Sequence, residues 1–291
     1  MTSKSISFET RYNIPKPFLK WAGGKTQLLD QFAPLYPREF NAYHEPFVGS
    51  GAVYFHLRSL KMNGTLNGSM TRAYLTDCND ELVNCYRVVQ NGVDELILLL
   101  TKHKRKHSPD YYYKVRSQDP TRLNDVKRAA RLIYLNKTCF NGLYRVNRDG
   151  QFNVPMGRYK NPAIFDEEKM RVVSQSLQTA HINYSSFKEV LNKATSGDFV
   201  YFDPPYHPLS KTSNFTSYTE NNFGEQEQRE LADAFRELDR KGCRLMLSNS
   251  SAAFVWKLYE GFRRERVKAT RLINSKAHKR GKISELVILN Y

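Results

Sequence analysis

Short apolar runs and longer amphipathic segments follow one another through most of this chain. The clearest short run is Phe199–Phe202, four successive aromatic or β-branched residues, a pattern typical of a buried strand in a parallel sheet. Further strands are predicted at residues 74–77, 181–184, 243–248, 262–267 and 284–289, with amphipathic helices between them, among them residues 225–241. This alternation of strands and helices predicts an α/β fold.

The middle of the chain departs from that alternation. From Asp80 onward the apolar positions recur at helical spacing, and one of the helices is predicted at residues 122–135. On that helix Lys127, Arg128 and Arg131 fall largely off the apolar face. Two short strands around Asp149-Gly150, a turn signal, then predict a β-hairpin.

These patterns divide the chain into three parts. Residues 1–16 alternate polar and charged positions and predict a flexible tail. Residues 17–79 and 166–291 are expected to form the sheet domain. Residues 80–165 are expected to form an inserted helical and hairpin domain.

The distribution of charge along the chain indicates a negatively charged binding partner. The formal net charge of the 291 residues is +16, and residues 101–160 contain fifteen Lys or Arg against four Asp, a net of +11. Such a cluster is the expected footprint of a polyanion. A solvated basic face, or a site for an acidic protein, is the alternative that charge alone leaves open.

Composition also excludes several classes of protein. No apolar run approaches the length of a membrane span, and the first sixteen residues have no apolar signal-peptide core. The four cysteines form no Cys-x-x-Cys pair and have no paired histidines at zinc spacing, so no metal site is expected. Free thiols fit a reducing compartment, and we expect a cytoplasmic protein without membrane contact.

The residues after the Phe199–Phe202 strand carry the first candidate chemistry. Asp203 stands at the strand end, and Pro204 and Pro205 cannot donate to a sheet, so Asp203-Pro-Pro-Tyr206 must leave the sheet edge as a stiff loop rich in acceptors. An exocyclic amine of a nucleobase is a poor nucleophile, because its lone pair is delocalised into the ring. Asp203 and the Pro204 carbonyl could accept its two N–H groups and free that lone pair, with Tyr206 stacked on the base.

Two upstream segments are candidates for a cofactor site. The loop containing Trp21 and Lys25 resembles a phosphate-binding P-loop, but Leu19 stands where that motif requires glycine. Its indole could pack on an adenosyl group, and its ammonium could meet a carboxylate. An acidic strand end then passes through Gly49-Ser-Gly51 into a helix, and Asp77 ends the next strand, where a carboxylate can accept the two hydroxyls of a ribose.

The predicted hairpin presents the side chains that could read DNA. It contains aromatics, amides and arginines, and Arg145 could make a bidentate contact with a guanine edge. An ordinary surface hairpin with scattered charge is the alternative interpretation.

Taken together, four motifs resemble the Dam family of DNA adenine-N6 methyltransferases, and most closely the GATC-modifying members of restriction systems. The motifs are Phe18-Leu-Lys-Trp-Ala-Gly-Gly-Lys25, Glu45-Pro-Phe-Val-Gly-Ser-Gly51, Asp77 and Asp203-Pro-Pro-Tyr206. The match extends to Leu247-Ser-Asn-Ser250 and Arg280-Gly-Lys-Ile-Ser-Glu285. The resemblance implies a Rossmann-like fold that binds S-adenosyl-L-methionine, with a target-recognition domain inserted at residues 80–165.

The resemblance also implies roles for individual residues. The catalytic loop would be Asp203, Pro204, Pro205 and Tyr206. The cofactor would be bound by Trp21, Lys25, Phe47, Gly49, Gly51, Asp77 and Asp203. DNA would be contacted by Lys20, Phe140, Asn141, Leu143, Arg145 and Pro155, with Phe140 standing where the family's best-known member inserts a tyrosine into the duplex.

The expected function is therefore methylation of an adenine flipped out of double-stranded DNA, within GATC, and a restriction endonuclease acting on the same site would be its partner. Two alternatives follow from the same residues. Methyl transfer to N4 of cytosine would also require activation of a poorly nucleophilic exocyclic amine, although an acid at the first position of Asp203-Pro-Pro-Tyr206 favours adenine. A DNA-binding regulator on a catalytically dead scaffold would not need Trp21, Lys25 and Asp203 intact.

Overall fold

The architecture is taken from a computed structural model, which describes residues 14–66, 70–209, 223–270 and 282–291. The first thirteen residues of the predicted tail lie outside the described residues, as do the first two residues of the matched motif at 280–285.

A seven-stranded sheet forms the centre of the molecule and confirms the α/β, Rossmann-like fold. The strand order is β3-β2-β1-β4-β5-β7-β6. Neighbouring strands from β3 to β5 are parallel, and β7 runs antiparallel to both β5 and β6. The strands are β1 (Tyr43–Glu45), β2 (Ala73–Asp77), β3 (Ala180–Tyr184), β4 (Phe199–Phe202), β5 (Arg244–Ser250), β6 (Arg263–Thr270) and β7 (Lys282–Leu289).

Helices cover the two faces of this sheet and build the inserted segment. They are α1 (Leu29–Phe32), α2 (Ala52–Met62), α3 (Asp80–Asn91), α4 (Val93–Lys106), α5 (Pro109–Arg116), α6 (Asp125–Thr138), α7 (Glu167–Leu177), α8 (Val190–Lys193), α9 (Glu225–Arg240) and α10 (Ala253–Leu258). In the described part of the chain, no helix is long and apolar enough to cross a membrane.

Strand β4 shows why the core has two layers. All four of its residues are buried, and successive side chains of a strand point to opposite faces. Phe199 and Tyr201 therefore join the apolar cluster that includes α2, α3, α6 and α7. Val200 and Phe202 join a second cluster that includes α8, α9 and α10.

The order of the strands reverses between β1 and β4. From β1 the chain continues outward through β2 and β3, then returns to place β4 on the other side of β1. In open α/β sheets ligands bind outside the carboxyl ends of the strands at such a reversal. Glu45 ends β1, and Asp203 directly follows β4, so both acids lie at this edge.

The inserted segment differs from the sequence prediction in three places. The predicted hairpin strands reduce to isolated bridges, Val146 with Phe152 and Cys139 with Met156. Helix α6 begins at Asp125, because Asn124 caps it by accepting the N–H of Lys127. Helix α5 has no counterpart in the prediction.

Arg131 is buried, although the helical pattern places it largely off the apolar face of α6. Its guanidinium donates to the carbonyls of Val115 and Arg116 at 3.1 and 2.8 Å. Arg131 thus joins α6 to the end of α5.

Candidate active site

Asp203 projects from the end of β4 and is held by a lysine from the other end of the sequence. Nζ of Lys25 donates to Oδ2 of Asp203 at 2.7 Å, and also to the carbonyl of Gly23. The Lys25 side chain is only 5% exposed, so water screens this ion pair little. The sequence left open which carboxylate the ammonium of Lys25 meets, and within the structure it is that of Asp203.

The other carboxylate oxygen of Asp203, Oδ1, accepts no hydrogen bond within the described residues. It is buried and lies 2.7 Å from Nζ of Lys25. No hydrogen bond to the carbonyl of Pro204 exists within the described residues either. Buried acceptors normally have a donor, so a ligand with two N–H groups would match the pair.

The pKa of Asp203 reflects its surroundings. Burial raises it to about 6, and the charge and hydrogen bond of Lys25 oppose that rise. Glu285 raises it further by charge repulsion. The carboxylate is therefore ionised at neutral pH, but close enough to its pKa to take up a proton.

Tyr206 is held in place by Glu285, a residue to which the sequence motifs gave no individual role. Its hydroxyl donates to Oε2 of Glu285 on β7 at 2.7 Å, and Nζ of Lys25 lies 4.8 Å from the centre of its ring. Glu285 appeared in the sequence only inside a matched motif. Its contact with Tyr206 joins positions 79 residues apart, which no local pattern reveals.

The turn after β1 needs glycine at two positions. Gly49 has φ +47° and Gly51 has φ +66°, a region that residues with a side chain avoid. A Cβ on Gly49 would lie 3.0 Å from the indole of Trp21, and one on Gly51 would lie 2.6 Å from the hydroxyl of Tyr86. That hydroxyl donates to the carbonyl of Gly49 at 3.0 Å, so Tyr86 fixes the turn.

Asp77 ends β2 beside this turn. Its carboxylate accepts the N–H of Gly49 at 3.1 Å and the N–H of Asn79 at 3.0 Å. Burial raises its pKa to about 6, and these two hydrogen bonds oppose the rise. Since each carboxylate oxygen can accept a second hydrogen bond, Asp77 keeps capacity for hydroxyl groups of a ligand.

The two aromatic residues of the predicted cofactor set, Trp21 and Phe47, lie in different surroundings. Trp21 contacts Gly49 and stacks on Tyr144, with ring centres 5.2 Å apart. Phe47 stacks on Phe187 with ring centres 5.4 Å apart. The structure thus groups Trp21 with Gly49 and Asp77, and places Phe47 in a separate aromatic cluster.

Most of the side chains predicted to contact DNA are gathered at one exposed place. Lys20, Phe140, Asn141 and Pro155 are exposed, and Phe140 is 50% accessible. The N–H of Phe140 donates to the carbonyl of Pro155 at 2.9 Å. Leu143 is half-buried beside them.

The guanidinium of Arg145 is already hydrogen-bonded within the protein. Its Nε donates to the side-chain oxygen of Asn153, and one terminal nitrogen donates to the backbone carbonyl of Asn153 at 3.3 Å. A guanidinium has five N–H donors, so donors remain for a base edge.

Asn136 joins the loop that carries Lys20 to the turn at Gly142, a role that the sequence pattern did not indicate. Its side chain is fully buried, accepts the N–H of Lys20 and donates to the carbonyls of Lys20 and Gly142. A polar residue inside an apolar helix face was the available signal.

Comparison with known proteins places these motifs in a family. The model of the "D12 class N6 adenine-specific DNA methyltransferase" family matches residues 21–273. The type II methyltransferase M.MjaIII of Methanocaldococcus jannaschii is 48% identical over 296 residues, covering 95% of this chain and 99% of that protein. M1.LlaDCHI of Lactococcus lactis subsp. cremoris is 45% identical over 282 residues, 95% of each chain.

A third relative carries a different name. The DNA adenine methylase of Haemophilus influenzae is 36% identical over 278 residues, covering 94% of this chain and 93% of that protein. The family model specifies adenine-N6 methylation and so decides against the cytosine-N4 alternative. This chain belongs to the D12 class of N6 adenine-specific DNA methyltransferases, enzymes that transfer a methyl group to DNA.

Proposed function

We propose that this enzyme transfers the methyl group of S-adenosyl-L-methionine to N6 of an adenine that is flipped out of double-stranded DNA at GATC. The observation that carries the proposal is a pair of acceptors with capacity for a ligand: Oδ1 of Asp203, which is ion-paired with Lys25 but accepts no hydrogen bond from a described residue, and the carbonyl of Pro204. An adenine amine has two N–H groups, one for each. Both acceptors follow β4 at the reversal of strand order, where a ligand is expected.

The residues of the loop prepare the amine for attack. Hydrogen bonds from N6 to Asp203 and Pro204 draw the nitrogen toward tetrahedral geometry, which returns its lone pair from the ring. S-adenosyl-L-methionine would supply an electrophilic methyl group on its sulfonium; the carbon–nitrogen bond to N6 would replace the carbon–sulfur bond, whose electron pair would stay on sulfur. The amine then loses one proton, which Asp203, with its pKa about 6, can accept.

The cofactor side of the site fits S-adenosyl-L-methionine by the chemistry of its residues. Asp77 has acceptor capacity for the ribose hydroxyls and would repel a 2′-phosphate. Trp21 and Phe47 offer aromatic faces for the adenosyl group. Gly49 and Gly51 let the backbone come close to the ligand, and Lys25 holds Asp203 in place between cofactor and base.

The recognition side of the site would read the DNA. We propose that residues 80–165 form the target-recognition domain, with Arg145 bound to a guanine edge and Lys20 to the outer guanine. Phe140 is exposed enough to enter the base stack, together with Asn141, Leu143 and Pro155. Flipping the adenine costs a few kcal/mol of stacking and pairing, which the contacts of this segment offset.

The names of two relatives suggest a biological setting. Both are type II methyltransferases, a name that goes with restriction systems. We propose a partner endonuclease that cleaves the same unmethylated sequence, and a cytoplasmic location together with the DNA.

One assay tests the proposal directly. DNA containing GATC is incubated with the wild-type protein and labelled S-adenosyl-L-methionine, then digested with nucleases that differ in their sensitivity to GATC methylation. We expect label in N6-methyladenine and protection of GATC sites, and no label in duplexes in which one base of every GATC is changed. Label in N4-methylcytosine, or equal labelling of the altered duplex, would contradict it.

A further inference from the structure

Two buried amides hold the backbone of the loop that follows Asp203. Gln228 in α9 is fully buried, and its Nε2 donates to the carbonyl of Pro205 at 2.8 Å. Asn249 in β5 is also fully buried, and its Nδ2 donates to Oε1 of Gln228 at 2.9 Å. The hydrogen bonds therefore run from β5 through α9 to the loop.

The orientation of both amides is dictated by their partners. Oδ1 of Asn249 accepts the backbone N–H of His207 at 3.1 Å and that of Ser250 at 2.8 Å. A backbone N–H can only donate, so the oxygen of Asn249 must face these two groups and its NH₂ must face Gln228. The NH₂ of Gln228 then meets the carbonyl of Pro205, which can only accept.

The arrangement fixes the chain on both sides of Tyr206. The residue before it is held through its carbonyl, and the residue after it through its N–H. Of two consecutive proline carbonyls, that of Pro205 is occupied by Gln228, whereas that of Pro204 has no donor within the described residues. The protein therefore holds the loop through the Pro205 carbonyl, which has no role in the proposed reaction, and leaves the Pro204 carbonyl for the substrate amine.

The two amides lie in elements that also bury apolar side chains. Leu231 of α9, and Leu245 and Leu247 of β5, are fully buried in the cluster between α9 and the sheet. Burying an amide is unfavourable unless its hydrogen bonds are made. The partners of Gln228 and Asn249 include backbone groups on both sides of Tyr206, so these hydrogen bonds stabilise the loop.

We propose that Gln228 and Asn249 are positioning residues for methyl transfer: they orient the Pro205-Tyr206-His207 backbone so that the Pro204 carbonyl stays free for the substrate amine and Tyr206 faces the base. Neither touches substrate or cofactor, and both act through the loop. The inference rests on the proposed role of Asp203-Pro-Pro-Tyr206.

The test compares Gln228→Met with the wild type. Methionine keeps the length of the side chain and removes its donor. We expect kcat to fall about 10- to 100-fold, because the loop loses its productive geometry, while KM for S-adenosyl-L-methionine and Kd for duplex DNA stay within about threefold. Gln226→Met is the matched control, since Gln226 is exposed on the same helix, and its kcat should stay within about twofold of wild type.

A second variant keeps the inference falsifiable if Gln228→Met does not fold. Asn249→Asp retains an acceptor for His207 and Ser250 but cannot donate to Gln228, and the same selective loss of kcat is expected. Folding is checked for each variant by its thermal melt. A folded variant with kcat within about threefold of wild type, or with equal losses in kcat, cofactor affinity and DNA affinity, would overturn the inference. A wild-type protein that transfers no methyl group would instead refute the proposed function itself.

Discussion

Asp203 carries a charge that its surroundings disfavour. Burial raises its pKa to about 6, and Lys25 limits that rise. The carboxylate is therefore ionised and can accept hydrogen bonds at neutral pH, and it becomes protonated in mildly acidic solution. In the proposed mechanism the ionised carboxylate accepts a hydrogen bond from the adenine amine, and protonation of Asp203 would remove one acceptor.

The pH dependence of kcat follows from this charge. We expect kcat to be constant above the pKa, about 6, and to fall about tenfold per pH unit well below it, because the protonated fraction grows at that rate. In Lys25→Met the pKa of Asp203 should rise, since the cation that lowers it is gone, and the acid limb should move to higher pH. An acid limb that stays in place or moves to lower pH would contradict the assignment.

The variant Arg145→Ala tests whether this residue reads one base of the DNA, as proposed. Arg145→Ala should cost about 1–3 kcal/mol of binding to the cognate duplex and relax the preference at one base position. Arg148→Ala is the control, because Arg148 is exposed on the adjoining turn and should weaken binding to all duplexes alike. Binding measured on a set of single-base variants distinguishes the two outcomes. Equal loss on every sequence in Arg145→Ala would mark a phosphate contact instead.

At the scale of an element, α2 offers a matched pair of glycines. Gly51 caps its N-terminus with φ +66°, and Gly64 follows its C-terminus with φ +71°. A Cβ on Gly64 would meet nothing within 4 Å, whereas one on Gly51 would lie 2.6 Å from the hydroxyl of Tyr86. Gly64→Ala therefore isolates the conformational cost, and Gly51→Ala adds the steric one.

We expect Gly64→Ala to lower the free energy of unfolding by about 1–2 kcal/mol, and Gly51→Ala to lower it by clearly more. Adding Tyr86→Phe to Gly51→Ala should recover part of the difference, since the clashing oxygen is removed. Chemical denaturation of the three proteins provides the measurement. Equal losses in the two alanine variants would show that Tyr86 yields without cost.

Elements with a local pattern could be predicted from the sequence. Strand β4 and helix α9 lie where periodicity and apolar runs placed them, because burial alone dictates those positions. Helix α5 was missed, although Ser108 and Pro109 form the N-cap and first-turn signal that the structure uses. The hairpin strands were overextended, because the side chain of Asn147, rather than strand pairing, accepts the N–H groups of Asp149 and Gln151.

The candidate site was predictable only in part. Lys25, Asp77 and Asp203 stand in motifs whose chemistry can be argued residue by residue. The contacts of Glu285 with Tyr206, and of Gln228 with Pro205, join residues from different elements. Such contacts follow from tertiary packing, which the sequence pattern does not contain.

For the whole molecule, the net charge of +16 overstates what is available to DNA. Arg128 is paired with Asp80 and Glu81, and Arg131 is buried in backbone contacts. These two cations in the basic region support the fold of the inserted segment. Exposed cations such as Arg148 and Arg158 remain for phosphates.

The salt dependence of DNA binding distinguishes these groups. Removing one phosphate contact lowers the slope of log K against log salt by about 1, so Arg148→Ala and Arg158→Ala should each reduce it. Arg128→Gln should leave the slope unchanged and lower the melting temperature, because its charge is already neutralised inside the protein. A reduced slope in Arg128→Gln with an unchanged slope in the other two would contradict this division.

The most direct test of the account is the methyl transfer rate of Asp203→Ala, measured with labelled S-adenosyl-L-methionine on a duplex that the wild type methylates. The account predicts a loss of at least about 100-fold in kcat, comparable to the removal of one preorganised polar contact at a reacting centre, with duplex binding retained. Methylation by Asp203→Ala at the wild-type rate would contradict the claim that this carboxylate holds the adenine amine.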